Sequence, residues 1–223
     1  MATVGKIPRR VYSATSVYID DWYKQIVKPR QFYERHSNRK PRRYFYNIDL
    51  QGRLFLEEIF PKNITTSIKD EKFLNFFFSR IRHVNEKEFE FLREHDISDD
   101  YPFVSKCGAE TNFIRPAATP IVFHSLTNQT LLCGGNLTVQ FESDRLAISK
   151  KSGKFYYRIP DGIGSLKYGL ISTSIGVALS NKIIHNENSA GKFLYGNSVE
   201  IDWMPSIYEP GSWAMPEEHQ SAL

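Results

Sequence analysis

The run RYFYNIDLQGRLFLEEI, residues 43–59, restricts the fold more than any other stretch of this chain. Successive side chains of a strand point to opposite sides, so Tyr44, Tyr46 and Ile48 share one face, and Leu54 and Leu56 do the same on a return strand. Asp49-Leu50-Gln51-Gly52 supplies the turn between them, with Gly52 suited to positive φ. This is the pattern of a β-hairpin, and whatever follows has to cover its apolar face.

The covering element is legible twenty residues later. From Asp70 to about His83, the residues Phe73, Leu74, Phe77, Phe78 and Ile81 recur at three- and four-residue steps, the period of an amphipathic helix. Asp70 suits its N-cap, and acids at the start with Arg80, Arg82 and His83 at the end suit its dipole. Short strand-like runs precede and follow it: 64–68, 89–92, 102–107, 111–115, 120–126, 130–133, 137–141, 154–159, 168–172, 174–180 and 198–203. One strong helix among many short strands predicts an α+β fold, mainly antiparallel sheet, over residues 44–204, with room for two sheet subunits.

Charge divides the chain. Residues 1–43 hold eleven Lys/Arg against three Asp/Glu, a net of +8, which leaves −4 for the rest of a chain whose formal net charge is +4. A mildly acidic body argues against nucleic acid as partner, because phosphate binding needs a basic face. The first nineteen residues contain no acid and carry Lys6, Arg9, Arg10, Ser13 and Ser16, the composition of a mitochondrial transit peptide. Residues 1–43 are therefore expected to be leader and linker, and the Pro/Gly-containing tail, 205–223, a loose end. The expected location is the mitochondrion, matrix favoured, with the cytoplasm as the alternative. The uncharged span 116–141 is too polar for a membrane helix, and no transmembrane segment is expected.

Chemically capable side chains concentrate between residues 107 and 135. Cys107, Glu110, Asn112 and Arg115 lie between two apolar runs; His124, then Cys133-Gly134-Gly135, follow. Two readings compete. In the first, the segment binds a ligand: Arg115 anchors a small anion, Glu110 and Asn112 orient it, and Gly134 and Gly135 permit close approach. In the second, Cys107 is a nucleophile and His124 its base, as in hydrolases and transferases that pass through a thioester. Glu110 and Arg115 are also candidates for an ion pair with each other. With only two cysteines and neither a CxxC nor an HExxH pattern, no metal site is predicted. Gly162-Ile163-Gly164 lacks the rest of a phosphate loop and is expected to be a simple loop. Asp49, Glu57, Glu58 and Asp70 are expected in exposed hairpin and helix-start positions. Sequons begin at Asn63, Asn128 and Asn136.

Several strings occur in one order: YFYNIDLQGRLFLEE, KNITTSIKDEKFLNFFFSRIR, PFVSKCGAETNFIR, PIVF, and CGG followed by a strand that ends in Phe141-Glu142. Together, across roughly residues 43–203, they resemble uncharacterised protein family 0598, a eukaryotic family. FLNFFFSRI and YPFVSKCG are also similar, in order and spacing, to the bacterial domain-of-unknown-function family 1285. The first resemblance implies no activity, cofactor or catalytic residue, and it favours the mitochondrion. The second implies a small fold of sheet-plus-helix units with a binding cleft. The combined expectation is a non-catalytic mitochondrial binding or assembly module for a small anionic ligand or a protein segment. The cysteine-dependent enzyme is the alternative.

Overall fold

The structure is a computed structural model that describes residues 42–160, 163–186, 192–195 and 199–205. The transit peptide, most of the linker and the loose tail expected from sequence lie outside the described residues.

Two sheets carry the fold. The first comprises β1 (Arg42–Ile48), β2 (Leu54–Leu56), β3 (Ile81–His83), β4 (Phe103–Cys107) and β5 (Glu110–Pro116), in the order β2-β1-β5-β4-β3. The second comprises β6 (Val122–Thr127), β7 (Thr130–Cys133), β8 (Leu137–Gln140), β9 (Leu146–Ile148), β10 (Phe155–Arg158), β11 (Tyr168–Ile171), β12 (Ile183–Asn186), β13 (Lys192–Tyr195) and β14 (Val199–Trp203). Its order is β12-β13-β14-β9-β10-β11-β6-β7-β8. Only β1/β5, β6/β11 and β9/β14 pair parallel among the described strands. Among the described residues there are three α-helices, α1 (Glu71–Phe78), α2 (Glu86–Glu94) and α3 (Thr173–Ser180), and a short 3-10 turn at Ser143–Arg145. The α+β class with antiparallel pairing dominant holds.

Four local expectations do not. The helix predicted to reach His83 stops at Phe78, and Ile81–His83 becomes β3, paired with Phe103–Ser105. Ile81 continues the apolar period, but a partner strand from twenty residues later claims its backbone. Residues 89–92, expected as a strand, lie in α2, which a capping box starts: Asn85 accepts from the Glu88 N–H, and the Glu88 carboxylate accepts from the Asn85 N–H. Residues 174–180 form α3 rather than a strand, burying Ile175 and Leu179 one helical turn apart. Residues 64–68 make no strand. Asn63 takes the N–H groups of Thr65 and Thr66 onto its side chain, a local alternative to a ladder.

The two faces of the first sheet bury different material. On one, Tyr46, Ile48, Phe103 and Ile114 join a core that runs on into the second sheet through Phe123, Leu131 and Tyr157. Helix α1 lies here; the rings of Tyr46 and Phe77 meet edge-on at 5.1 Å, and Ser105 Oγ donates to the Phe77 carbonyl at 2.8 Å. On the other face, Phe45 and Phe113 stack at 5.4 Å beneath Phe91 of α2, with Leu92, Ile97 and Tyr101 alongside. The fully buried ring of Phe113 contributes roughly 1.5–3 kcal/mol through removal from water, and the partly buried Phe45 and Phe91 less. The second sheet is tied at its far edge by Tyr157, whose hydroxyl donates to the Gln140 carbonyl and accepts from the Glu142 N–H. Among the described residues, no helix is long and apolar enough to cross a membrane.

Candidate functional site

Strand register assembles a polar corner at one end of the first sheet. Cys107 on β4 is the cross-strand partner of Glu110 on β5, and Ser105 is the partner of Asn112. On the other side of β5, Arg42 sits opposite Glu110 and Tyr44 opposite Asn112. Cross-strand partners share a face, and alternate residues along a strand do too. Arg42, Tyr44, Tyr46, Ser105, Cys107, Glu110 and Asn112 therefore all face the side on which α1 packs. The β4–β5 loop needs only two residues, Gly108 and Ala109. Gly108 has φ 62°, the geometry that makes a tight primed turn and brings Cys107 opposite Glu110.

The polar atoms of this corner are unevenly satisfied. Asn112 is 1% exposed, and its amide nitrogen donates to the Ser105 carbonyl at 3.1 Å. Its Oδ1 is fully buried and has no hydrogen-bond partner. A buried acceptor in that state costs about 1–3 kcal/mol. Glu110 meets Arg42 at 2.8 Å, with side chains 27% and 50% exposed. A pair so wet is worth less than about 1 kcal/mol. Cys107 is partly exposed, and its sulfur lies 3.8 Å from Ser105 Oγ. Burial pushes its thiol above the ordinary value; hydrogen bonds from Ser105 and Asn112 and the charge of Arg80 pull it down, Glu110 pushes it up, and the net effect is upward. Burial, followed by the charges of Glu110 and Cys107, pushes the Tyr46 hydroxyl up to about 12. Both groups are neutral at physiological pH.

Arg115 is on the opposite face of β5 and belongs to a different cluster. Its Nη2 donates to Glu57 Oε1 at 2.5 Å and its Nε to Asn47 Oδ1 at 3.0 Å; Asp100 is 3.9 Å away. Asn47 also donates to Glu57. Lys62, itself buried, donates to the carbonyls of Glu57 and Ile59. The guanidinium proposed as an anion anchor is therefore already neutralised by carboxylates of this chain. The expected Glu110–Arg115 pair does not form, because residues five apart on a strand point to opposite sides.

The other candidates are dispersed. His124 stands in the second sheet, where the β6–β7 register shifts between Phe123 and Ser125. Among the described residues, no hydrogen bond joins it to Cys107, so the nucleophile–base pair is not assembled. Gly134 and Gly135 form the β7–β8 turn against α1. A Cβ on Gly134 would lie 3.2 Å from the Phe78 ring, and one on Gly135 only 2.7 Å from the Glu71 carbonyl oxygen. The close approach these glycines allow is that of a helix. Asn136 continues the same contact, bonding Asn75 and Glu71 through its backbone and side chain. Gly164 likewise meets the carbonyl of Ile81, where Ser165 N–H donates at 2.9 Å. Gly162 lies outside the described residues.

The carboxylates do not converge either. Asp49 and Glu57, expected to be exposed, are largely buried: Asp49 holds the hairpin turn through the N–H groups of Gln51 and Arg53 and the Arg53 side chain, and Glu57 meets Arg115, while Asp70 caps α1 at the Phe73 N–H. Among the described residues, no three of His, Cys, Asp and Glu gather as metal ligands. Sequence reasoning missed Arg42, Tyr44, Tyr46 and Ser105 as neighbours of Cys107. The missing information was the parallel pairing of β1 with β5, which no local pattern announces.

A model for a domain of unknown function, DUF4505, matches residues 34–204. Two solved structures are similar to this chain. One is a DUF1285 family protein from Silicibacter pomeroyi DSS-3, 15% identical, covering 76% of this chain and 91% of its own, with a TM-score of 0.42. The other is a DUF1285 family protein from Shewanella baltica OS155, 13% identical, covering 62% and 91%, with a TM-score of 0.36.

Proposed function

We propose, for a chain that belongs to the domain-of-unknown-function family DUF4505, a non-catalytic binding role centred on the polar corner of Cys107, Glu110 and Asn112. One observation carries this reading: Asn112 Oδ1 is a fully buried acceptor without a partner beside a partly open thiol. Buried polar groups are almost always satisfied, and an exception needs an explanation, of which a bound group is one. The enzyme reading has less support. A thiol whose ionisation is pushed upward is a poor nucleophile, and His124 is not joined to it. An anion held by Arg115 has less support than an occupant of the corner, since Glu57 already neutralises that guanidinium.

The acid-free leader and the resemblance to family 0598 support the mitochondrion, matrix favoured, as the place where the module works. A fluorescent protein fused behind residues 1–43 that stayed in the cytoplasm would remove that part of the reading.

The binding role is tested by thermal-shift screening of the full chain against a small-molecule library divided into cations, anions and neutral compounds. Compounds that raise the melting temperature of the wild type saturably, but not that of Cys107→Ser combined with Glu110→Gln, are the expected result. A library that shifts neither protein, or hits indifferent to both substitutions, would defeat the reading. Turnover of an activated ester that disappears with Cys107→Ser would replace it with the enzyme.

A further inference from the structure

We infer that the tip of the β9–β10 hairpin, with Trp203 of β14 beside it, is a docking surface for an anionic phospholipid bilayer. The inference stands apart from the corner of Cys107 and uses none of its residues.

The charge of the body is uneven. Residues 145–160 hold five Lys/Arg and no Asp/Glu, although residues 44–223 as a whole carry −4. Three of the five, Lys150, Lys151 and Lys154, are exposed on the connection between β9 and β10. That connection is a firm turn. Ser149 Oγ accepts from the N–H and the hydroxyl of Ser152, the Gly153 N–H donates to the Ser149 carbonyl, and the Ser149 N–H donates to the Lys154 carbonyl. Gly153 has φ 65°, and a Cβ placed on it would meet no atom within 4 Å. The lysines are carried on a tight turn with open space beside it.

Register brings an aromatic ring to the same end of the sheet. Ile148 pairs with Phe155 on one side and with Trp203 on the other, so all three share a face. Trp203 is 43% exposed, and Lys150 Nζ lies 5.5 Å from its ring centre. The acids around this end do not cancel the lysines. Glu142 is paired with Arg145, and Asp202 pairs with Ala147, which puts it on the face opposite Trp203. Asp144 is exposed on the turn that ends at Arg145, one carboxylate against three ammonium groups. Lys154 shows the imbalance directly: burial lowers its ammonium below the ordinary 10.5, and among the described residues no carboxylate offsets this.

Lysines around an exposed indole suit the interface of an anionic bilayer. Each lysine near such a surface strengthens binding about fivefold, and an indole settles at headgroup level. Nucleic acid is the competing polyanion. A strand lying along the molecule would meet the acidic remainder of the body, whereas a bilayer meets the tip first. Among the described residues the tip offers one exposed ring, not the row of aromatic side chains on which successive bases stack.

Trp203 is its own reporter. In the full chain carrying Trp22→Phe and Trp213→Phe it is the one remaining tryptophan. Vesicles of phosphatidylcholine and phosphatidylserine in a three-to-one ratio are expected to shift its emission to the blue, and high salt to reverse the shift. Vesicles of phosphatidylcholine alone are expected to leave the emission unchanged. With Lys150→Gln, Lys151→Gln and Lys154→Gln together, the same shift should need roughly a hundredfold more lipid.

The basic residues 1–43 can draw the chain to the same vesicles, so sedimentation by itself does not count. Protein that sediments with anionic vesicles while Trp203 emission stays unshifted would overturn the proposal, and so would a shift indifferent to the three lysine substitutions or equal with phosphatidylcholine alone. Neither sedimentation nor shift would overturn it too. Quenching of Trp203 by single-stranded oligothymidylate, with vesicles inert, would assign the tip to nucleic acid instead.

Discussion

Arg115 meets Glu57 across the first sheet at 2.5 Å, with side chains only 22% and 15% exposed. Their positions, 58 residues apart, give no hint of the contact. Removing one partner strands the other charge in a poorly solvated place. Arg115→Met is expected to destabilise the fold by about 2–4 kcal/mol, and Arg115→Met with Glu57→Gln by less than the sum of the two single changes. Urea unfolding of the four proteins measures this. An unchanged midpoint for Arg115→Met would mean the pair contributes nothing.

The two thiols should respond to reagents very differently. Cys107 is partly exposed with its ionisation pushed above the ordinary 9.0, and burial pushes Cys133 up to about 12. The rate of Cys107 modification is expected to be low at neutral pH and to climb with a midpoint above 9.0. Cys133 should stay unmodified until denaturant is added. A midpoint below the ordinary thiol value would restore the nucleophile.

Glu88 links stability to pH. Burial would raise its carboxyl, but two hydrogen bonds from Arg82, the Asn85 N–H, and the charges of Arg82 and Lys106 outweigh that and hold it below its ordinary 4.5. A depressed carboxyl stabilises the folded chain fully above the unfolded value and loses that contribution as pH falls from 4.5 through the folded value. The melting temperature should therefore drop over that window, and drop less steeply in Glu88→Gln. At neutral pH the same substitution is expected to cost about 1–3 kcal/mol. Parallel pH profiles for the two proteins would contradict the assignment.

Two glycines separate backbone strain from crowding. Gly108 has positive φ with open space around it, so Gly108→Ala should cost about 1–2 kcal/mol from conformation alone. Gly135 has a carbonyl of α1 where a Cβ would stand, so Gly135→Ala should force the β7–β8 turn off the helix and cost about 1–3 kcal/mol. Calorimetric melting of both variants checks this. The alkylation rate of Cys107 should be unmoved by Gly135→Ala.

What could be read from sequence was local. The β1–β2 hairpin, the Asp70 cap and most strands are set by alternation and turn chemistry within a few residues, and they stand. The end of α1 was misplaced because Ile81 obeys both the helical period and the needs of β3, and only its pairing with Ser105 decides. Helix α2 was legible in principle, since Asn85 and Glu88 have capping-box spacing; its scattered aromatics hid it. Of the candidate site, Cys107, Glu110 and Asn112 do face one way. Arg115 was grouped with them because it is near in sequence, and a strand sends it to the other side. His124, Gly134 and Gly135 belong to the second sheet, where packing rather than a ligand accounts for both glycines.

β1 begins at Arg42 and is an inner strand, flanked by β2 on one side and β5 on the other. A protease that trims the amino end must therefore cut before Arg42, since a later cut would excise the middle of a sheet. During synthesis, this first strand waits with one flank unpaired until residue 116 has been made. In that interval Tyr44, Phe45 and Tyr46 lie on a strand with one edge open to pairing with another chain.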